Sequence, residues 1–114
     1  MYSNLVRKLK KSAYRIRLGL GDTQVDAMHM CLGLAGEVGE VVDIIKKNVV
    51  SHKPIDRQEF VKELGDVEFY LEGLRQAYGI DREEVLRVSK DKLTKRYNGR
   101  YSDAAAIARA DEAS

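Results

Sequence analysis

The chain has 114 residues, 20 of them Lys or Arg and 18 Asp or Glu, and a formal net charge of +2. This length suits one domain, and 44% hydrophobic with 33% charged residues is typical of a globular protein. No apolar run approaches the roughly 20 residues that span a bilayer, and no signal-peptide pattern begins the chain, so no membrane partner is expected. The single Cys31 excludes an internal disulfide and a cysteine metal cluster, which favours a cytoplasmic location.

The charges are distributed unevenly along the chain. Residues 7–17 and 87–100 are strongly basic, whereas most acidic residues lie between Asp22 and Glu84. The basic segments indicate a polyanionic partner, either a nucleoside triphosphate or nucleic acid. The alternative is that each basic residue lies on a solvated helix face.

The first half of the sequence predicts two helices. An amphipathic segment ends at Gly19-Leu-Gly21, and its apolar positions are Tyr2, Leu5, Leu9, Ala13 and Ile16. Asp22 or Thr23 is expected to cap a second helix that runs to about Val49. The segment 51–55, which contains the only proline, then connects to the next helix.

The second half predicts two further helices and a tail. Asp56-Arg-Gln-Glu59 and Asp81-Arg-Glu-Glu84 have the pattern of capping boxes, and Gly79 ends the helix between them. Asn98-Gly99 breaks the fourth helix, and Ser102 can cap a short alanine-rich tail helix. We therefore expect an all-α fold, with residues 1–114 forming one four-helix bundle-like domain plus a short C-terminal tail helix.

The predicted third helix carries two stripes of different character. The apolar stripe is typical of a bundle core and consists of Phe60, Leu64, Val67, Leu71, Leu74 and Tyr78. Beside it run Glu59, Glu63, Asp66 and Tyr70. Acidic residues that follow one another along one ridge repel, which indicates that a cation neutralises them.

The second helix provides a matching acidic pair. Glu37 and Glu40 are three residues apart and share a face, and antiparallel packing would turn them towards Glu63 and Asp66. Four carboxylates form a hard oxygen site, which favours Mg²⁺, with Mn²⁺ as a substitute. The glycines at 33, 36 and 39 indicate close approach of a helix backbone or a ligand, or tight helix packing alone.

Two other site classes fit the sequence poorly. A di-iron bundle needs Glu-x-x-His on two helices, and the nearest approximation is Asp26-x-x-His29. No phosphate-binding G-x-x-x-x-G-K-[ST] string occurs.

Taken together, the motifs resemble one family. The string from His29 to Lys47, which contains Gly36-Glu37-Val-Gly-Glu40, is followed by Glu63-Leu-Gly-Asp66-Val-Glu-Phe-Tyr70 and by Lys92-Leu-Thr-Lys-Arg96-Tyr97. This combination resembles the MazG-like all-α nucleotide pyrophosphohydrolases over roughly residues 25–110.

The resemblance implies a reaction, a metal and an assembly. The expected reaction is Mg²⁺-dependent hydrolysis of a (deoxy)nucleoside triphosphate to the monophosphate and pyrophosphate, by members that assemble as dimers or tetramers. Glu37, Glu40, Glu63 and Asp66 match the family's metal ligands. We expect Glu40 or Glu63 to act as the base for the attacking water.

Further residues are candidates for contact with the substrate. Lys47, Lys92 and Arg96 are expected to bind phosphate oxygens, the alternative being surface cations. Tyr70 and His29 are candidates for contact with the base or sugar, the alternative being packing. Ser89 stands where the family often has Asn, which leaves the substrate preference open.

Two rival functions remain. The chain could be a non-catalytic helical module that binds nucleic acid or a partner protein through the basic segment 7–17, although few aromatic residues are interleaved there for stacking. It could also be a nucleotide sensor without turnover, against which the complete set of four carboxylates argues.

Overall fold

The computed structural model describes residues 1–97 and 102–109, and these residues are helical without any strand. The helices are α1 (Tyr2–Leu9), α2 (Ala13–Leu18), α3 (Asp22–Ser51), α4 (Arg57–Ala77), α5 (Arg82–Tyr97) and α6 (Asp103–Ala108). The predicted all-α class is confirmed. No described helix is long and apolar enough to cross a membrane.

The N-terminal helices differ from the prediction in two details. The first amphipathic segment is two helices, because the Ser12 hydroxyl accepts a hydrogen bond from the Arg15 N–H at 3.2 Å and starts α2 anew. The N-cap of α3 is Gly21, so the expected cap at Asp22 or Thr23 is wrong. The Gln24 side chain accepts a hydrogen bond from the Gly21 N–H at 3.0 Å and takes over the capping role.

The later helix ends follow the sequence signals more closely. Asp56 Oδ1 accepts hydrogen bonds from the backbone N–H groups of Gln58 and Glu59 at 3.0 and 3.3 Å, which starts α4 where the capping box predicts. Ser102 caps α6 by accepting from the Ala105 N–H at 3.0 Å. Gly79 adopts a positive φ of 63° just beyond α4, as a helix stop requires. The predicted break at Asn98-Gly99 lies outside the described residues.

The chain divides into two compact units, Met1–Ala77 and Tyr78–Ser114. In the first unit α3 packs against α4, and in the second α5 packs against α6. The prediction of one domain stays a prediction.

Two glycines let α3 and α4 approach each other. A Cβ at Gly33 would overlap the Tyr70 ring, and a Cβ at Gly73 would overlap Met30 Sδ. Met30 contacts Gly73, whereas Gly33, which comes later on α3, contacts Tyr70, which comes earlier on α4. The two helices therefore run antiparallel, as expected. On each helix a glycine thus makes room for a large side chain of the other helix, Tyr70 at Gly33 and Met30 at Gly73.

The apolar stripe of α4 is only partly covered within the chain. Ala27, at 8% exposure, is the one buried hydrophobic residue among those that the structure describes, and Leu64 is 43% exposed. Exposed apolar side chains also run along α3 and include Val38, Val42, Ile45 and Val49. Four residues of the stripe are half-buried and none is fully buried, so the core that the spacing predicted is only partly formed among the described residues.

Candidate metal centre

Three of the four predicted carboxylates meet between α3 and α4. Carboxylate oxygens of Glu37, Glu63 and Asp66 lie within 4.8 Å of one another. Glu37 and Glu63 are half-buried and Asp66 is exposed, so the cluster opens to solvent on one side. The fourth predicted ligand, Glu40, is exposed one turn beyond Glu37 and lies outside this group.

The cluster is electrostatically unfavourable without a cation. Shared hydrogen bonding with Glu37 raises the pKa of Glu63, and burial and the nearby charges of Glu37, Asp66 and Glu40 raise it further. Glu63 Oε2 is shielded from solvent and has no hydrogen-bond partner within the described part of the chain. A buried carboxylate oxygen without a partner is costly, and a cation would satisfy it.

The donor set fits a small hard cation. Ligands on opposite sides of Mg²⁺ are about 4.2 Å apart, because each oxygen lies about 2.1 Å from the ion. The oxygens of Glu37, Glu63 and Asp66 lie within 4.8 Å of one another, which is compatible with three ligands of one such ion. The open side, where Asp66 is exposed, leaves room for water and phosphate oxygens.

Comparison with known proteins identifies the family. The family model described as the MazG nucleotide pyrophosphohydrolase domain matches residues 26–101. The chain belongs to this family. No curated protein and no solved structure gave a significant match to the chain.

Within this MazG domain, the predicted phosphate ligand Lys47 forms an ion pair with another residue of the chain. Its ammonium forms an ion pair of 2.8 Å with Asp43, one turn earlier on α3. Hydrogen bonding with Asp43 raises the pKa of Lys47, and the same contact lowers the pKa of Asp43. Because the Glu40 charge also raises the pKa of Lys47, that ammonium lies in the electrostatic field of the acidic site.

The predicted nucleotide contacts on α3 and α4 have different surroundings. Tyr70 is half-buried between the helices, where its ring covers Gly33. His29 is exposed on α3. A Cβ at Gly36 or Gly39 would meet nothing within 4 Å, so of the three predicted α3 glycines only Gly33 serves close packing in this chain.

The remaining predicted residues lie on α5, in the second unit. Ser89 is half-buried and Lys92 is exposed. The Arg96 guanidinium lies 5.9 Å from the centroid of the neighbouring Tyr97 ring. Their roles in phosphate or sugar binding stay predictions.

One aromatic residue beside the acidic cluster was not among the predicted site residues. Phe69 lies between Asp66 and Tyr70 in the sequence, and its side chain is 65% exposed. Its ring meets the Tyr70 ring edge to face, with centroids 5.1 Å apart and an interplanar angle of 89°. Phe69 belongs to neither the apolar nor the acidic stripe of α4. An aromatic residue outside both stripes is expected at the surface, and the sequence could have indicated it in this way.

Proposed function

We propose that the chain hydrolyses a (deoxy)nucleoside triphosphate to the monophosphate and pyrophosphate in the presence of Mg²⁺. The observation that carries the proposal is the convergence of Glu37, Glu63 and Asp66, with one oxygen of Glu63 buried and unsatisfied. Membership of the MazG family supports the reaction class.

The acidic cluster would hold the metal, and the remaining groups would bind and activate the reactants. Mg²⁺ would supply Lewis-acid polarisation of the phosphoryl oxygens and neutralise the charge of the pyrophosphate leaving group. Glu37, Glu63 and Asp66 would be its ligands. Glu40 is exposed one turn beyond Glu37, and its carboxylate would orient the attacking water and accept its proton.

Lys47 is proposed to bind a substrate phosphate from the edge of the site. Its stem is anchored on α3, and its ammonium is held by Asp43 at 2.8 Å. An exposed ion pair of this kind contributes little stability, so a phosphate can replace Asp43 as the partner at small cost. Lys92 and Arg96 remain proposed phosphate ligands.

Self-association is the second part of the proposal. The exposed valines and isoleucine along α3 and the partly exposed stripe of α4 form apolar surface on the α3–α4 unit. Contiguous apolar surface of this kind marks an interface, and a dimer or tetramer would cover it. The cytoplasm remains the predicted compartment.

The decisive experiment is hydrolysis in ¹⁸O-labelled water with each of the eight common nucleoside triphosphates. We expect monophosphate and pyrophosphate as products, with the label in the monophosphate, because water attacks the α-phosphorus. Diphosphate and phosphate, or label in the pyrophosphate, would contradict the proposed cleavage.

A matched pair of variants tests the metal centre. Glu63→Gln should abolish turnover while the helical circular dichroism signal is retained. Glu59→Gln is the control, because Glu59 lies one turn earlier on α4 and pairs with Lys62 at 3.2 Å, outside the cluster. Full activity of Glu63→Gln would refute the assigned site. Absence of turnover in the unaltered protein, with salt-sensitive binding of DNA or RNA, would favour the non-catalytic module.

A further inference from the structure

A cavity of about 520 Å³ lies beside the acidic cluster on the same α3–α4 unit. Its walls include Asp26 and Met30 from α3 and Phe69, Gly73 and Gln76 from α4. The volume is within the range of small-molecule sites, which run from about 300 to 1,000 Å³. Neither the metal ligands nor the proposed phosphate ligand Lys47 lines it.

The cavity lies towards the start of α3 from Glu37, whereas the proposed phosphate ligand Lys47 lies towards the end of that helix. Phe69 and Gly73 are three and seven residues beyond Asp66, or about 4.5 and 10 Å along the axis of α4. Asp26 lies 11 residues before Glu37 on the antiparallel helix, about 16 Å along its axis. A triphosphate held at the cluster would therefore direct its base into the cavity, and a purine would reach Asp26 better than a pyrimidine.

Phe69 offers a flat apolar surface in this cavity. The Tyr70 ring packs against it edge to face, and one turn further along α4 the Met30 side chain lies against Gly73 and adds apolar wall. Because Phe69 remains 65% exposed in this arrangement, one face is available for a stacked base.

The polar walls of the cavity carry more acidic than basic side chains. Arg75 is committed to Glu72, with Nε and Nη2 at 3.0 and 2.7 Å from Glu72 Oε2. The Gln76 amide donates to Glu72 Oε1 at 3.2 Å, which leaves its carbonyl oxygen as an acceptor. With the carboxylates of Asp26 and Glu68 also on the wall, acceptors predominate and anions are repelled.

This set of acceptors selects a base by its hydrogen-bond donors. Guanine presents a ring N–H next to an amino group, and one carboxylate can accept from both. Thymine and uracil instead place two carbonyl oxygens around a single N–H, and those oxygens would face the negative wall. Adenine and cytosine lie between these extremes, with one amino group beside a ring acceptor.

We propose that the cavity binds the nucleobase, with Phe69 stacking on it and Asp26 selecting bases whose pairing edge donates hydrogen bonds, guanine above all. This assignment rests on the proposed function and adds a substrate preference to it.

The test compares the four deoxynucleoside triphosphates at a fixed Mg²⁺ concentration. The unaltered protein should show a kcat/KM for dGTP about tenfold or more above that for dTTP. Asp26→Asn should lower the ratio severalfold, since the Asn amide can pair with a hydrogen-bond acceptor of the base as readily as with a donor. Phe69→Leu should raise KM for all four substrates and leave their order unchanged.

Asp22→Asn is the matched control, because Asp22 lies one turn before Asp26 on α3 and does not line the cavity. It should retain the ratio of the unaltered protein. A preference for dTTP, or an unchanged ratio in Asp26→Asn, would overturn the assignment while hydrolysis itself still supports the enzyme.

A binding measurement separates the two proposals if no substrate is hydrolysed. Calorimetric titration with the α,β-methylene analogues of dGTP and dTTP should give tighter binding of the guanine compound, lost in Asp26→Asn. That result would support the nucleobase-binding site even if the proposed hydrolysis were not observed. Equal affinities for the two analogues would refute the base site.

Discussion

The contact between Gly33 and Tyr70 gives a sharp test of how α3 and α4 pack. Substituting Gly33 by Ala places a methyl group where the Tyr70 ring lies. The same substitution at Gly39, on the same helix, places the methyl group where nothing lies within 4 Å. The pair of variants therefore separates the steric overlap from the effect of alanine on the helix.

The expected magnitudes follow from two opposing terms. Replacing a helical glycine by alanine stabilises the helix by about 1 kcal/mol at either position. Overpacking between α3 and α4 costs Gly33→Ala about 1–3 kcal/mol in addition. Gly39→Ala should therefore be stabilised, Gly33→Ala should be neutral or destabilised, and their free energies of unfolding should differ by about 1–3 kcal/mol.

The measurement is urea unfolding followed by circular dichroism at 222 nm, at one protein concentration because self-association changes apparent stability. Removing the ring with Tyr70→Ala supplies the internal control, since Gly33→Ala should then become stabilising in that background. Equal stabilisation by Gly33→Ala and Gly39→Ala in the unaltered background would show that the Tyr70 ring does not cover Gly33.

Further predictions concern the cluster and one helix cap. The pKa of Glu63 is higher in the folded protein than in the unfolded chain, so the folded protein binds a proton at Glu63 more readily. With EDTA present, the free energy of unfolding should therefore fall as the pH rises from the ordinary carboxyl range through the raised pKa. A thermal-melt series should show this slope flattened in Glu63→Gln, and an unchanged slope would refute the assignment. Saturating Mg²⁺ at about 100 times its Kd should stabilise the unaltered protein by about 2.7 kcal/mol, and Glu63→Gln much less. Asp56→Ala should cost about 0.5–2 kcal/mol in urea unfolding, since Asp56 caps α4; no loss would mean that the cap contributes nothing.

The helices could largely be read from the sequence because their signals are local. Asp56 and Ser102 start helices through hydrogen bonds to backbone groups two or three residues away, so a short window of sequence contains the whole interaction. The break near Ser12 was missed although it is local as well, because the apolar spacing of α1 continues into α2 and hides it. Capping of α3 by Gly21 and Gln24 was missed because glycine has no side chain to signal a cap.

The sequence predicted the acidic cluster, and the structure shows which of its carboxylates converge. Acidic residues three apart on two helices indicated a cation site, because like charges at this spacing repel each other. Which carboxylates converge depends on how α3 and α4 rotate about their axes, and Gly33 sets that rotation by admitting Tyr70. The packing brings Glu37, Glu63 and Asp66 together and leaves Glu40 one turn away.

The all-α class, the order of the long helices and the acidic pairs could be derived from the sequence, since each depends on spacing along the chain. The packing of α3 against α4 then left the apolar stripe of α4 partly exposed and turned Glu63 and Tyr70 towards α3. It also decided that Asp26 and Phe69, 43 residues apart in the sequence, line one cavity. The physical reason is that a helical period fixes which residues share a face, whereas the orientation of that face is set by side chains on another helix.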